Sequence, residues 1–535
     1  MASTDKLLER EIAAAAMGVF HRYDGGIRIQ IYIPSLSRHI QPRNIVLIAV
    51  LLLAITWIAR RIFRRDLRSI PGPFLASLSN FYRLAMVLRG QSQWETIALH
   101  KKHGHYLRLG PNFVSVSDPE ALPIIYGIAK GFRKSDFYTA LDPVSNGRLM
   151  QSMFATQSDE WHRIQRKPIA HAYAMSTLVS YEPLVDSTTG ILMDVVGKRF
   201  AATGQTCNLA QWLQWYAFDV MGEITFSERF GFLEQGRDIG DICLGIHHHF
   251  TYGAPVGQIP WIDVFLRRNP LRPKREVSDP MVAFTADAIG KRLQSSNDVE
   301  QYHDFLSRFL NADVGPDSDK DAHFRNVLSW SVNNVGAGSD TTGISLTAVF
   351  YYLLTNPHSF QVLLEEIRST RFASHKAVSW KEAQSMPYLQ ACIKEALRLH
   401  PAVGMPLERV VPEGGVSLGG YWLKGGTVVG VNAWVVHRNK DVFGPDAEIW
   451  NPERWIKADT EQLKAMERAN LTFGSGSRTC LGKNISLLEM SKLVPQLLRS
   501  YEMTLATPGE EWKTQNFWFV KPDALNVRFK AIQHD

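Results

Sequence analysis

The stretch FGSGSRTCLG, Phe473 to Gly482, sets one cysteine among three glycines, with an arginine two residues upstream. The chain has four cysteines, and the others, Cys207, Cys243 and Cys392, lie far away with no repeated spacing. A disulfide needs a partner, and a zinc site needs several ligands. Three readings of Cys480 stay open on these residues alone: a buried structural thiol, a nucleophile, or the sole protein ligand of a large cofactor.

Working outward, 535 residues with 45% hydrophobic and 21% charged side chains describe a globular chain with a sizeable core. Four scattered cysteines argue against a disulfide framework and fit a reducing compartment. The net charge of +7 is modest for this length. Part of it flanks an apolar segment, so a membrane surface or an acidic partner is expected before nucleic acid.

That segment, IVLIAVLLLAITWIA (Ile45 to Ala59), carries no charge and is followed by Arg60, Arg61, Arg64, Arg65 and Arg68. As a helix it reaches about 22 Å, against a hydrocarbon core of about 30 Å. Ile62 and Phe63 lengthen it if Arg60 and Arg61 snorkel. The expected organisation is an extension over 1–43 and a single-pass anchor over 44–63. A basic Pro/Gly linker follows over 64–73, including SIPGPF, and then one domain over 74–535. The arginines place that domain on the cytoplasmic side. The glycosylation strings NLT at Asn470 and NIS at Asn484 are then accidental.

Helical patterns dominate, with short strand-like pieces YLRLG, FVSVS and GTVVGVNAWVV. A mainly α domain with minor β is expected. The longest helix is predicted over 324–356, ended by Pro357. Its centre, NNVGAGSDTTG, holds Gly336, Gly338 and Gly343 beside Asp340 and Thr341. Each interior glycine costs about 0.5–1 kcal/mol relative to alanine. Close packing is one reading. A polar groove beside a flat ligand is the preferred one, with the Thr341 hydroxyl bonding the Ala337 carbonyl. A second helix, PYLQACIKEALRLH, puts Glu395 and Arg398 on one face, and NPERW supplies Arg454. A buried glutamate between two arginines must be fully hydrogen-bonded to be tolerated. That points to a structural lock.

Phe473, Gly476, Arg478, Cys480 and Gly482 match the F-x-x-G-x-R-x-C-x-G signature of the cytochrome P-450 haem-thiolate monooxygenases. AGSDTT (Ala337 to Thr342) resembles their oxygen-activation motif, EALR their ExxR, and PERW their PERF. FDVMGEITFSERFGFLE (Phe218 to Glu234) resembles the filamentous-fungal, pisatin-demethylase-like microsomal members. The resemblance runs from about Pro71 to the C-terminus.

This resemblance implies a single haem-thiolate domain with haem b as cofactor and Cys480 as the axial ligand of its iron. Phe473 and Gly482 frame that ligand, and Arg478 and Arg409 reach the haem propionates. Asp340 and Thr341 relay protons, and Glu395, Arg398 and Arg454 form the structural triad. The family often shows W-x-x-x-R on the helix at the haem edge. Here Gln165 stands four residues after Trp161, so His162 and Arg166, resembling the H-x-x-x-R of other members, take that role.

The implied reaction inserts one oxygen atom of O2 into a hydrophobic small molecule, a fungal secondary metabolite being expected. Electrons come from NADPH through a separate flavoprotein reductase, because no dinucleotide or flavin motif appears. The expected location is the endoplasmic reticulum membrane. A haem-thiolate isomerase or dehydratase and a non-catalytic haem sensor or carrier remain as alternatives; Asp340 and Thr341 count against both. HHH at His247 to His249 is not expected to bind metal, because adjacent helical residues diverge. QIPWIDVFL (Gln258 to Leu266) is either core or a piece touching the bilayer. Substrate-cavity candidates are FYTALDPVSNGR (from Phe137), Val332 to Gly336, Val403 to Met405, and Phe517 to Phe519.

Overall fold

A computed structural model describes residues 66–533 apart from 146–147, 270–279, 295–301, 314–319 and 374–376, with positions 46, 49 and 56 in addition. The chain divides into units 1–63 and 64–535, and every element below belongs to the second. Among the described residues no helix is long and apolar enough to cross a membrane. Apart from those three positions, the extension over 1–43 and the anchor over 44–63 lie outside the described residues.

Six helices position the site: α1 Asp159–Arg166, α2 Leu209–Phe226, α3 Ile242–Val256, α4 Lys320–Thr355, α5 Pro387–Leu399 and α6 Lys483–Ser500. Five strands, β1 Tyr106–Gly110, β2 Phe113–Val116, β3 Arg133–Lys134, β4 Leu407–Val410 and β5 Val428–Val431, form a sheet of order β1-β2-β5-β4-β3. The β2–β5 pair is parallel and the rest are antiparallel. A C-terminal hairpin adds β6 Thr514–Phe517 and β7 Phe519–Pro522. The mainly α fold with minor β is as expected.

Helix α4 runs through the main core, with Leu346, Val349, Phe350 and Leu353 buried beside residues of α2 and α6. Each such side chain contributes about 1.5–3 kcal/mol by leaving water. A Cβ on Gly338 would sit 2.6 Å from Sδ of Met221, and one on Gly343 2.8 Å from Cα of Gln214. Both partners belong to α2. These two glycines therefore serve close helix packing, which corrects the preference for a purely functional reading. Asp340 and Thr341 are left as the polar feature that packing does not require.

Strand β5 stops at Val431, short of the run GTVVGVNAWVV, because Asn432 Oδ1 accepts the Trp434 N–H at 3.0 Å and caps a helical turn. Leu67 and Ile70 are buried. The Pro71 carbonyl accepts the Arg108 N–H at 2.8 Å. The Pro/Gly segment expected as a linker thus packs along β1. In FDVMGEITFSERFGFLE, the buried Asp219 accepts the N–H groups of Gly231, Phe232 and Leu233. Burial pushes its carboxyl up to about 6, and the three amides partly offset that.

Candidate active site around Cys480

The cysteine loop is closed by its own backbone. Cys480 N–H donates to the Phe473 carbonyl at 2.8 Å. Gly476 has φ +67°, and a Cβ there would fall 1.7 Å from the Tyr126 carbonyl oxygen, so no other residue fits. Gly482 has φ −82° and room for a side chain; nothing around it demands glycine. Helix α6 begins at the next residue. The backbone N–H groups of Gly482 and Lys483 at that helix start favour the charged form of the sulfur, as the positive end of a helix would. The thiol is accessible, yet protein surrounds it closely enough for burial to push its pKa up. An accessible sulfur with such surroundings lines a recess.

Helix α4 is tied to the first turn of α6, which follows this loop. Thr341 Oγ1 donates to the Ala337 carbonyl at 2.8 Å, the bond expected from its position. The neighbouring Thr342 hydroxyl lies 2.9 Å from that of Ser486 in the first turn of α6. Ala337 is exposed and Thr341 half-buried, among buried positions such as Val335, Ser339 and Asp340, so α4 also presents an open surface at this point.

Cations gather nearby. The β3–β4 register pairs Lys134 with Arg409, which puts both on one face. Arg478 pairs with Asp159 of α1 at 2.6 Å, and its Nη1 is buried with no partner. Burial, then Arg409 and Arg478, push the Lys134 ammonium well below its usual pKa. Burial, then Arg478, Arg166 and Lys134, push His162 down to about 3. The Arg409 guanidinium and the orphaned Arg478 nitrogen suit a ligand that brings carboxylates, as the two of a haem would, and Lys134 and His162 would regain their protons beside such charges. Lys134 was not foreseen in the sequence; no motif marks it. Arg166 donates to the Thr479 carbonyl at 2.8 Å and so braces the cysteine loop.

Behind the loop, Glu395 is fully satisfied. Oε1 accepts from Arg398 Nη2 at 2.7 Å, Arg454 Nε at 3.0 Å and the Asn451 N–H at 3.0 Å. Oε2 accepts from Arg398 Nε at 2.8 Å and Trp455 Nε1 at 2.9 Å. The foreseen lock is assembled, with Trp455 as an unforeseen member. His437, also missed, joins lock to loop. Its Nδ1 donates to the Arg398 carbonyl at 2.9 Å, and its Nε2 accepts the Leu471 N–H at 2.8 Å. Burial holds it neutral, with its pKa down to about 3, as an acceptor nitrogen requires.

Asp340 is buried, with Oδ1 accepting from Gln214 Nε2. Its Oδ2 lies 2.6 Å from Lys521 Nζ. Of the four cavity candidates, three meet in one apolar cluster: Phe137 and Tyr138, Val403 and Met405, and Phe517 to Phe519, joined by Ile344. Val335 of the fourth lies in the main core instead. His249 Nε2 sits 3.1 Å from the Leu141 carbonyl, and among the described residues no cluster suits a metal ion. Asn484 donates to the Tyr173 carbonyl at 3.0 Å. In QIPWIDVFL, Ile259 and Asp263 are buried while Trp261 and Phe265 are 63% and 65% exposed.

The cytochrome P450 family model matches residues 71–527. The cytochrome P450 monooxygenase cicH of Emericella nidulans is 45% identical over 478 residues, 88% of this chain and 94% of that protein. A cytochrome P450 monooxygenase of Aspergillus terreus is 43% identical over 475 residues, covering 87% and 95%. The cytochrome P450 monooxygenase pkfB of Emericella nidulans is 39% identical over 473 residues, covering 87% and 92%. With a cysteine loop, a buried Glu–Arg–Arg lock and a cation-rich recess in the family's order, the chain belongs to the cytochrome P450 family and is a haem-dependent monooxygenase.

Proposed function

We propose that this enzyme inserts one oxygen atom of O2 into a hydrophobic small molecule of fungal secondary metabolism. Haem b would be held by Cys480, and electrons would arrive from NADPH through a separate flavoprotein reductase. The observation that carries the reading is the pairing of an accessible, amide-facing Cys480 with the open surface at Ala337 and Thr341. When bound, the haem supplies iron-centred activation of O2, and the thiolate donates the electron density that favours O–O cleavage. Arg478, Arg409, Lys134 and His162 would hold its carboxylates. Thr341 would pass a proton from its hydroxyl into the recess, and Asp340 would resupply it.

Substrate class is supported by the apolar, aromatic cluster of Phe137, Tyr138, Met405, Phe517 and Phe519, which offers few polar groups to a ligand. Location at the endoplasmic reticulum membrane, with the domain on the cytoplasmic face, is supported by the apolar Ile45 to Ala59 and the arginines after it. A second apolar surface adds to it. Helix Phe81–Leu88 and the turn Pro260–Val264 both pack on α3, and Phe81, Leu88, Trp261 and Phe265 are all exposed. The Trp261 and Phe265 rings lie 6.2 Å apart, and adjoining exposed apolar rings mark a contact where single ones do not.

Thr341→Ala tests the reading. It removes the hydroxyl and leaves Cys480 and the cation cluster intact. Substrate affinity and the thiolate-type carbon-monoxide spectrum should persist. Product formed per NADPH oxidised should fall, because proton delivery contributes about 10²–10⁴-fold to such rates. An unchanged ratio would reduce Thr341 to a packing residue. Turnover without NADPH would favour the isomerase.

A further inference from the structure

Asp340 is the acid of the proposed relay, and the role of Lys521 beside it rests on that reading. The Asp340 carboxylate is closed to solvent. A buried carboxylate without a counter-charge would give up its charge. Here two groups hold it: Gln214 of α2 donates to Oδ1, and Lys521 of β7 lies 2.6 Å from Oδ2. The Lys521 side chain is 25% exposed, so the pair reaches from the buried interior to water. From α3, His247 and Cys243 also face this pair. Among the described residues Lys521 is the one cation within ion-pairing distance of Asp340.

The strand that carries Lys521 does a second thing. β6 and β7 pair down to Phe517 and Phe519, which leaves Trp518 alone in the turn at φ +85°. Such a backbone is unfavourable for a side-chain-bearing residue and needs surroundings that enforce it. They are present: the Trp518 ring lies 5.5 Å from Phe137, 5.8 Å from Tyr138 and 5.7 Å from Phe154. Phe519 packs on Phe250 of α3 at 4.5 Å. The hairpin tip is thus built into the aromatic cluster of Phe137, Tyr138 and Phe250, and Lys521 lies two residues beyond Phe519 along the same strand.

We propose that Lys521 is a positioning residue for proton delivery: it holds the Asp340 carboxylate in place, and the hairpin links that placement to the aromatic cluster. Lys521 touches neither substrate nor haem. It sets where the acid sits and keeps it beside water.

The test uses the full-length holoenzyme with its reductase and five variants: Lys521→Met, Lys521→Arg, Asp340→Asn, Lys521→Met with Asp340→Asn, and Thr341→Ala. Thermal unfolding of wild type, the Met and Asn single variants and their combination forms a double-mutant cycle. Lys521→Met should lower the melting temperature, because it strands a buried carboxylate, and adding Asp340→Asn should restore most of the loss. Lys521→Met should also cut product per NADPH several-fold while the carbon-monoxide spectrum and substrate affinity stay at wild-type values. Lys521→Arg, which keeps the ion pair, should recover that ratio. Additive melting shifts, or a wild-type ratio in Lys521→Met while Thr341→Ala lowers it, overturn the assignment of Lys521. A wild-type ratio in both Thr341→Ala and Asp340→Asn means the relay itself is misread, and this inference falls with it.

Discussion

The indole N–H of Trp455 donates to Oε2 of Glu395 at 2.9 Å. Where the family has phenylalanine in PERF, this chain has tryptophan, and the extra nitrogen meets the buried charge of the lock. Hydrogen bonds to charged groups contribute about 1.5–3 kcal/mol. Trp455→Phe keeps an aromatic ring and removes the donor, so the enzyme should lose stability by about that amount and shed haem sooner on heating. Equal melting temperatures for variant and wild type would mean that Arg398 satisfies Oε2 alone.

His437 predicts a different failure. His437→Ala leaves the Leu471 N–H and the Arg398 carbonyl without the partner that joins lock to loop. An unsatisfied buried polar group costs about 1–3 kcal/mol. The cost falls at the start of the segment that presents Cys480. The reduced carbon-monoxide complex should therefore shift from the thiolate-type spectrum towards the inactive form while haem content stays near normal. An all-thiolate spectrum would show that the loop holds itself.

Legibility followed sequence distance. Cys480, Glu395 and Arg398 sit in short strings whose spacing reports their chemistry, and the Thr341–Ala337 bond is local to one helical turn. Lys521, His437 and Gln214 act through contacts made only when distant segments fold together. No string marks them. The glycines of α4 misled for a related reason: their cause is Met221 and Gln214 on another helix. Asn432 ended β5 early because one side-chain bond outweighed the apolar run after it.

Membrane attachment has a direct check. Full-length protein in microsomes should resist carbonate extraction, and protease added outside sealed vesicles should digest the haem domain. Substituting Trp261 and Phe265 with serine in a chain lacking residues 1–63 should weaken its binding to phospholipid vesicles. Protection of the domain from protease would reverse the orientation. Undiminished vesicle binding would remove the second apolar surface from the proposal.

Glu489 gives the last prediction, and its sign is unusual for a carboxylate. It sits in α6, fully buried, and neither oxygen has a hydrogen-bond partner in the structure. Burial pushes its pKa well above the usual value, and Tyr216 of α2, pushed up first by its own burial, is the titratable neighbour. In the unfolded chain a glutamate releases its proton near pH 4.3, about the ordinary value. Between that pH and the raised folded pKa, the folded protein binds one proton more than the unfolded one. Stability from this group is therefore fully present in acid and is lost as pH rises through that window, by up to about 1.4 kcal/mol per pH unit. Glu489→Gln removes the titration and keeps the shape. Denaturant unfolding of wild type and variant, at pH values from about 5 to about 8, should show the variant gaining on the wild type steadily as pH increases. Parallel stability curves across that range would mean that Glu489 finds water or a partner and is not held neutral by its surroundings.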